Sequence, residues 1–133
     1  MRLLKILPAA LLSAGVTFAA PVSWAVTEVV PFTQPAFEAA QKQGKPILVQ
    51  ITASWCTTCA KQRPILSQLE AEPRFKELVV YNIDFDTQKD PVRALGARMQ
   101  STLIVFSGAT EKGRSTGETD PVAIESLLAK SVE

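Results

Sequence analysis

Two cysteines are the only ones in this chain of 133 residues, and they stand three positions apart in Ser54-Trp55-Cys56-Thr57-Thr58-Cys59. Histidine is absent. No Cys-His or Ser-His nucleophile pair, no histidine base and no histidine-ligated metal site can therefore be built from this sequence. A structural disulfide stabilises mainly by closing a long loop of the unfolded chain, and a ring of four residues gives little of that benefit. A zinc site closed by one chain would need two further ligands, usually Cys or His, and neither is available. The spacing points to chemistry at sulfur: thiol–disulfide exchange, with a two-thiolate site for a soft ion such as Cu(I) as the alternative.

Exchange needs one sulfur to attack and a second to finish. The segment before Cys56 reads as a buried strand and the segment after it as a helix, so Cys56 falls at a helix start. Unpaired N–H groups and the positive end of the helix dipole there favour thiolate over thiol, and thiolate is the attacking species. Cys59, one turn further on, can bring its sulfur back beside that of Cys56. It can then displace a substrate held there as a mixed disulfide. A Cys-x-x-Cys pair in a β-α setting is the redox reading of this spacing.

The elements that must hold this pair follow from patterning. Residues 26–34 read as an extended lead-in. Pro35 suits the first turn of a helix that Gly44 stops. Ile47 to Thr52 is β-branched and apolar on both faces apart from Gln50, the pattern of an interior strand. From Cys56 to about Ala71, Ile65, Leu66 and Leu69 recur at helical spacing, and Pro64 is expected to kink that helix. Pro73 to Leu78 reads as a turn or short helical piece, and Leu78 to Phe85 as a second strand. Asp90-Pro91 opens a short helix ending at Gly96. Thr102 to Phe106 is a third strand, followed by a polar edge strand near Lys112 to Thr116. Asp120-Pro121 opens a last helix whose buried face is expected to comprise Val122, Ile124, Leu127, Leu128 and Val132. Such an alternation, closing in a hairpin and a helix, implies an α/β fold with a central mixed sheet and helices on both faces.

The first 25 residues read as a secretory signal peptide rather than as part of the fold. Arg2 and Lys5 form a positive head, Ile6 to Ala20 is apolar apart from Ser13 and Thr17, and Ser23-Trp24-Ala25 offers small residues at the cleavage positions. An uncleaved membrane anchor is the alternative, although the apolar run is short of the roughly 20 residues a span requires. Cleavage after Ala25 would leave 108 of the 133 residues, one domain spanning 26–133. The whole chain carries 14 basic and 13 acidic side chains. Without Arg2 and Lys5 the balance is 12 against 13, a net charge of −1. No concentrated basic surface suggests nucleic acid, and no second long apolar segment places the mature domain in a membrane.

Trp55-Cys56-Thr57-Thr58-Cys59, with Pro64 five residues beyond the second cysteine, resembles the active-site strand–turn–helix of the thioredoxin superfamily. Val80-Tyr81-Asn82-Ile83-Asp84 is similar to that family's next strand, and Gly117 to the glycine after its terminal hairpin. The similarity covers roughly residues 32–132 and implies the three-layer thioredoxin-like fold. It also implies Cys56 as nucleophile and Cys59 as resolving cysteine, with Trp55, Thr57, Thr58, Pro64 and Ser101 in supporting places. Trp55 would be a flat apolar wall beside the sulfurs, or a core residue.

Three departures from the family pattern stand out. Gln50 occupies the place of a buried aspartate, Val80 aligns with a lysine near it, and Ser101 replaces a cis-proline that faces the cysteines. A cis bond before a non-proline residue costs about 2.5–4 kcal/mol, so Gln100–Ser101 is expected to be trans. Either substrate peptides then dock differently or more loosely, or the Ser101 hydroxyl hydrogen-bonds a cysteine sulfur; loss of the proline could also admit a metal ion to the sulfur pair. Lys61 and Arg63 are expected on the solvated surface.

The expected function is an exported thiol–disulfide oxidoreductase of the periplasm that needs no cofactor. It would act on protein or small-thiol disulfides, with a membrane-bound redox partner as electron source if it works as a reductase. A thioredoxin-fold metal carrier, or an adaptor that uses the fold only for protein contacts, are the competing classes.

Overall fold

The structure, a computed structural model, describes residues 19–20, 27 and 29–133. The proposed leader and its boundary at Ala25 thus lie almost entirely outside the described residues. A five-stranded mixed sheet runs in the order β1-β3-β2-β4-β5. Its strands are β1 (Val29–Pro31), β2 (Pro46–Thr52), β3 (Val79–Asp84), β4 (Thr102–Ser107) and β5 (Thr110–Thr116). β3 pairs in parallel with both β1 and β2, while β4 pairs antiparallel with β2 and β5. The helices are α1 (Gln34–Lys42), α2 (Thr57–Glu70), α3 (Lys89–Ala94) and α4 (Pro121–Ala129), with a 3-10 turn at Pro73–Phe75.

The strand period of two separates two cores. Ile47, Val49 and Ile51 of β2 pack with Phe37 of α1 and Val92 of α3 on one face of the sheet. Leu48 faces the other way, toward Leu66 and Leu69 of α2 and Leu128 of α4. Each fully buried aliphatic side chain contributes about 1.5–3 kcal/mol, and Ile47, Leu48, Val49 and Ile51 anchor β2 in this way. Its C-terminal end is where the cysteine loop begins.

The structure corrects several expectations. The lead-in contains a true strand: Val29 to Pro31 pair with Val80 to Asn82 and form the sheet edge. The polar edge strand begins at Thr110 rather than near Lys112. The short helix starts at Lys89, so Asp90 lies inside it and Gln88 holds the cap position without a side-chain hydrogen bond. Asp120 does cap α4, its Oδ1 accepting the Ala123 N–H at 2.9 Å. Val122 is 69% exposed and Val132 44%, so neither belongs to the buried face of that last helix. Helix α2 carries Pro64 inside its span, as the sequence implies.

Candidate functional site

β2 delivers the chain to the site and α2 carries it away. Cys56 is the N-cap of α2, with extended backbone dihedrals (φ −78°, ψ 104°). Its Sγ accepts the Cys59 N–H at 3.1 Å, the place a Ser or Asp oxygen takes in other helices. Ala53 closes the turn by accepting the Cys56 N–H at 3.1 Å. The sulfurs of Cys56 and Cys59 are joined as a disulfide. Both residues are buried and pack with Ala53 and Phe85. When the bond is reduced, the helix N–H that now meets the Cys56 sulfur is in place for a thiolate.

Trp55 precedes the pair and is 58% exposed, so it is no core tryptophan. Its Nε1–H donates to Asp86 Oδ2 at 2.7 Å, which ties the loop to the segment after β3. Nothing about Asp86, one acid in a polar loop, marks it in the sequence. Thr57 is exposed and Thr58 half-buried on the first turn of α2, and Pro64, Lys61 and Arg63 are exposed further along.

Ser101 immediately precedes β4 and is buried. No peptide bond among the described residues is cis, so Gln100–Ser101 is trans. Ser101 takes φ +58°, the only non-glycine among the described residues with positive φ, a conformation that costs a side-chain-bearing residue about 1–2 kcal/mol. Of the two alternatives for Ser101, the bond to sulfur is not made: its hydroxyl donates to the Gln100 carbonyl at 2.6 Å. What holds the loop is a residue that sequence reasoning missed. Gln62, one turn beyond Cys59 and 2% exposed, donates through Nε2 to the carbonyls of Ser101 (3.2 Å) and Glu118 (2.9 Å). Gly117, at φ +75°, adds its own N–H to the Ser101 carbonyl at 3.0 Å.

Gln50 lies in a polar groove of the sheet. Val80 stands opposite Leu48, and the residue opposite Gln50 is Asn82, itself uncharged. Gln50 Nε2 donates to Oε1 of Glu70 at 3.3 Å. Burial pushes the Glu70 carboxyl up to about 7. Gln50, Thr52, Asn82, Glu70 and Arg63 line a groove of about 370 Å³. Arg63, expected only to be solvated, thus supplies that groove with a cation from α2. Among the described residues there is no group of three or more His, Cys, Asp or Glu side chains placed to hold a metal. None of the described helices is long and apolar enough to cross a membrane.

The thioredoxin family model matches residues 28–130. In solved structures, the chain resembles Trxlp from Edwardsiella tarda EIB202 at 40% identity and TM-score 0.74, over 76% of this chain and 98% of that one. A thioredoxin from Chlamydia muridarum is 31% identical over 63% of this chain and 80% of its own length. Thioredoxin Asp f 29 from Aspergillus fumigatus is 27% identical over 71% of this chain and 86% of its own. The matched span contains the cysteine pair, the whole sheet and every described helix, and the chain belongs to the thioredoxin family.

Proposed function

We propose that this thioredoxin-family disulfide oxidoreductase works outside the cytoplasm, with Cys56 as the attacking and Cys59 as the resolving sulfur. The observation that carries the assignment of roles is the placement of Cys56 at the N-cap of α2, its sulfur facing the Cys59 N–H. In the reduced form the Cys56 thiolate attacks a substrate disulfide. A mixed disulfide forms, and one substrate thiolate leaves. The Cys59 thiolate then attacks the Cys56 sulfur, which restores the internal disulfide and releases the second substrate thiolate. Two electrons pass from the cysteine pair to the substrate. Substrates are protein or small-molecule disulfides.

Export rests on the positive, apolar and small-residue pattern of residues 1–25, with the periplasm as destination and cleavage after Ala25. In such an oxidising compartment a reductase must be recharged with two electrons per turnover. A membrane-bound donor fits that need. The described residues contain no inserted helical module for broad substrate capture, which favours a reductase or narrow-specificity exchanger. Gln50, an amide, cannot take a proton from Cys59, so water or a substrate group does so.

Trapping tests this reading. Cys59→Ser expressed in its native compartment should accumulate mixed disulfides on Cys56 that a reductant releases, and Cys56→Ser should accumulate none. Absence of any trapped species, with stoichiometric metal retained by the purified wild type, would replace exchange by metal carriage.

A further inference from the structure

Thiol exchange leaves the groove between α2 and the sheet without a task. The strand period of two builds its floor. Gln50 and Thr52 share the face of β2 that Leu48 turns toward α2, and Asn82 of β3 stands in register with Gln50. Its wall is α2, from which Arg63 and Glu70 both line it. Glu70 is the only buried charged residue among the described ones. It stands seven residues beyond Arg63, so the two share one helix face about 10.5 Å apart along the axis. No ion pair joins them among the described residues. The groove thus offers a guanidinium and, two turns on, a carboxyl.

Two side-chain amides on the floor complete the pattern. Thr52 Oγ1 donates to Asn82 Oδ1 at 2.8 Å, which leaves the Asn82 Nδ2 hydrogens as donors. Gln50 Nε2 donates to Glu70 Oε1 at 3.3 Å, which leaves Gln50 Oε1 as an acceptor. No hydrogen bond among the described residues uses Asn82 Nδ2, Gln50 Oε1 or Glu70 Oε2. A donor and an acceptor on paired neighbouring residues match the C=O and N–H of one peptide bond. An extended chain of two residues spans at most about 7 Å, short enough to lie between the two charged groups. A single amino acid holds its charges too close together to reach both, and three residues, at about 10 Å, leave no room for the contacts.

We propose that this groove binds a free dipeptide, with its α-ammonium on Glu70, its carboxylate on Arg63 and its peptide bond on Gln50 and Asn82. The volume of about 370 Å³ accommodates two small residues, and Val29 and Leu66 give their side chains an apolar flank. The ligand carries the complement of each charged group, so neither is left facing its like. Burial holds the empty site's carboxyl in the acid form to about pH 7. An ammonium beside it favours the carboxylate, so binding below that pH expels a proton from Glu70. The ligand touches neither cysteine, and the site stands whether or not the pair exchanges disulfides outside the cytoplasm.

The test adds alanyl-alanine to the oxidised protein and follows the side-chain amide signals of Gln50 and Asn82 by NMR. Saturable shifts of both are expected, together with a lower titration midpoint for the Glu70 carboxyl. N-acetyl-alanyl-alanine lacks the ammonium and alanyl-alanine amide lacks the carboxylate. Each should bind at least about tenfold more weakly, the loss of one charge-assisted contact. Free alanine should also bind more weakly than the dipeptide. Arg63→Gln should abolish the preference for a free carboxylate, and Glu70→Gln the preference for a free ammonium. The capped peptides need no substitution, so they decide the matter even if a variant folds poorly. No saturable shift at millimolar dipeptide, or equal binding of the capped forms or of alanine, overturns the proposal and leaves thiol exchange intact.

Discussion

The Cys59 N–H meets the Cys56 sulfur at 3.1 Å, so the backbone of one cysteine is capped by the sulfur of the other at the start of α2. The two positions are unequal as a result. A helix N-terminus favours a negative charge by about 1 kcal/mol, about fivefold in population. Only Cys56 stands at the cap.

After reduction, a sub-stoichiometric alkylating agent should label Cys56 at least about fivefold more than Cys59 near neutral pH. Peptide mass spectrometry reads the ratio directly. Equal labelling, or preference for Cys59, would reverse the proposed roles.

Gln62 links α2 to the Ser101 loop and to Glu118 through one buried amide nitrogen. Gln62→Ala leaves the Ser101 carbonyl with the Gly117 N–H alone and opens a cavity. The expected destabilisation is about 2–3 kcal/mol, read as a shift of the urea midpoint at unchanged slope. Gln62→Glu should cost at least as much, because a carboxylate would face two carbonyl oxygens. Disulfide-exchange rates should fall with both variants if the Ser101 loop shapes the substrate groove.

The cysteine pair, the strand before it and the helix after it were legible because each is a local pattern. Ile47 to Thr52 is an apolar run broken at Gln50, and Cys56 follows it at the distance a strand-to-helix turn allows. Gln62, Glu70 and Asp86 were not legible. Gln62 stands between Lys61 and Arg63, where a polar triplet reads as solvated surface. Its partners Ser101 and Glu118 are 39 and 56 residues away. β1 was missed for a related reason: three residues ending in proline carry no periodicity, and only pairing with β3 makes them a strand. Val122 misled because it lies near Ile124 in sequence while the helix turns it outward by about 100° per residue.

Ser101 is held at φ +58°, where glycine carries no penalty from Cβ. Ser101→Gly removes that penalty and also loses the short bond to the Gln100 carbonyl. Glycine also leaves the unfolded chain more freedom. The balance is expected to be a gain of about 0.5 kcal/mol. Ser101→Pro should do the opposite, since proline fixes φ near −65°; the loop must then rebuild or lose its contact with Gln62. A loss above about 2 kcal/mol is expected, measured by denaturant unfolding of the oxidised protein. A stabilising proline would show that this loop readily adopts another backbone path.

Glu70 gives the fold a pH dependence whose direction follows from its environment. Burial raises its carboxyl from 4.5 to about 7, so the folded chain binds this proton more tightly than the unfolded chain does. Its favourable contribution is complete below about pH 4.5 and fades as pH rises toward 7. Stability should fall across that window by about 1–2 kcal/mol. Glu70→Gln keeps an amide partner for Gln50 and carries no titratable proton, so it should flatten the fall. Urea midpoints of the two proteins at pH 5 and 8 measure the difference. An equal slope in both would place the pH dependence elsewhere in the molecule and show that the Glu70 carboxyl is better solvated than its burial implies.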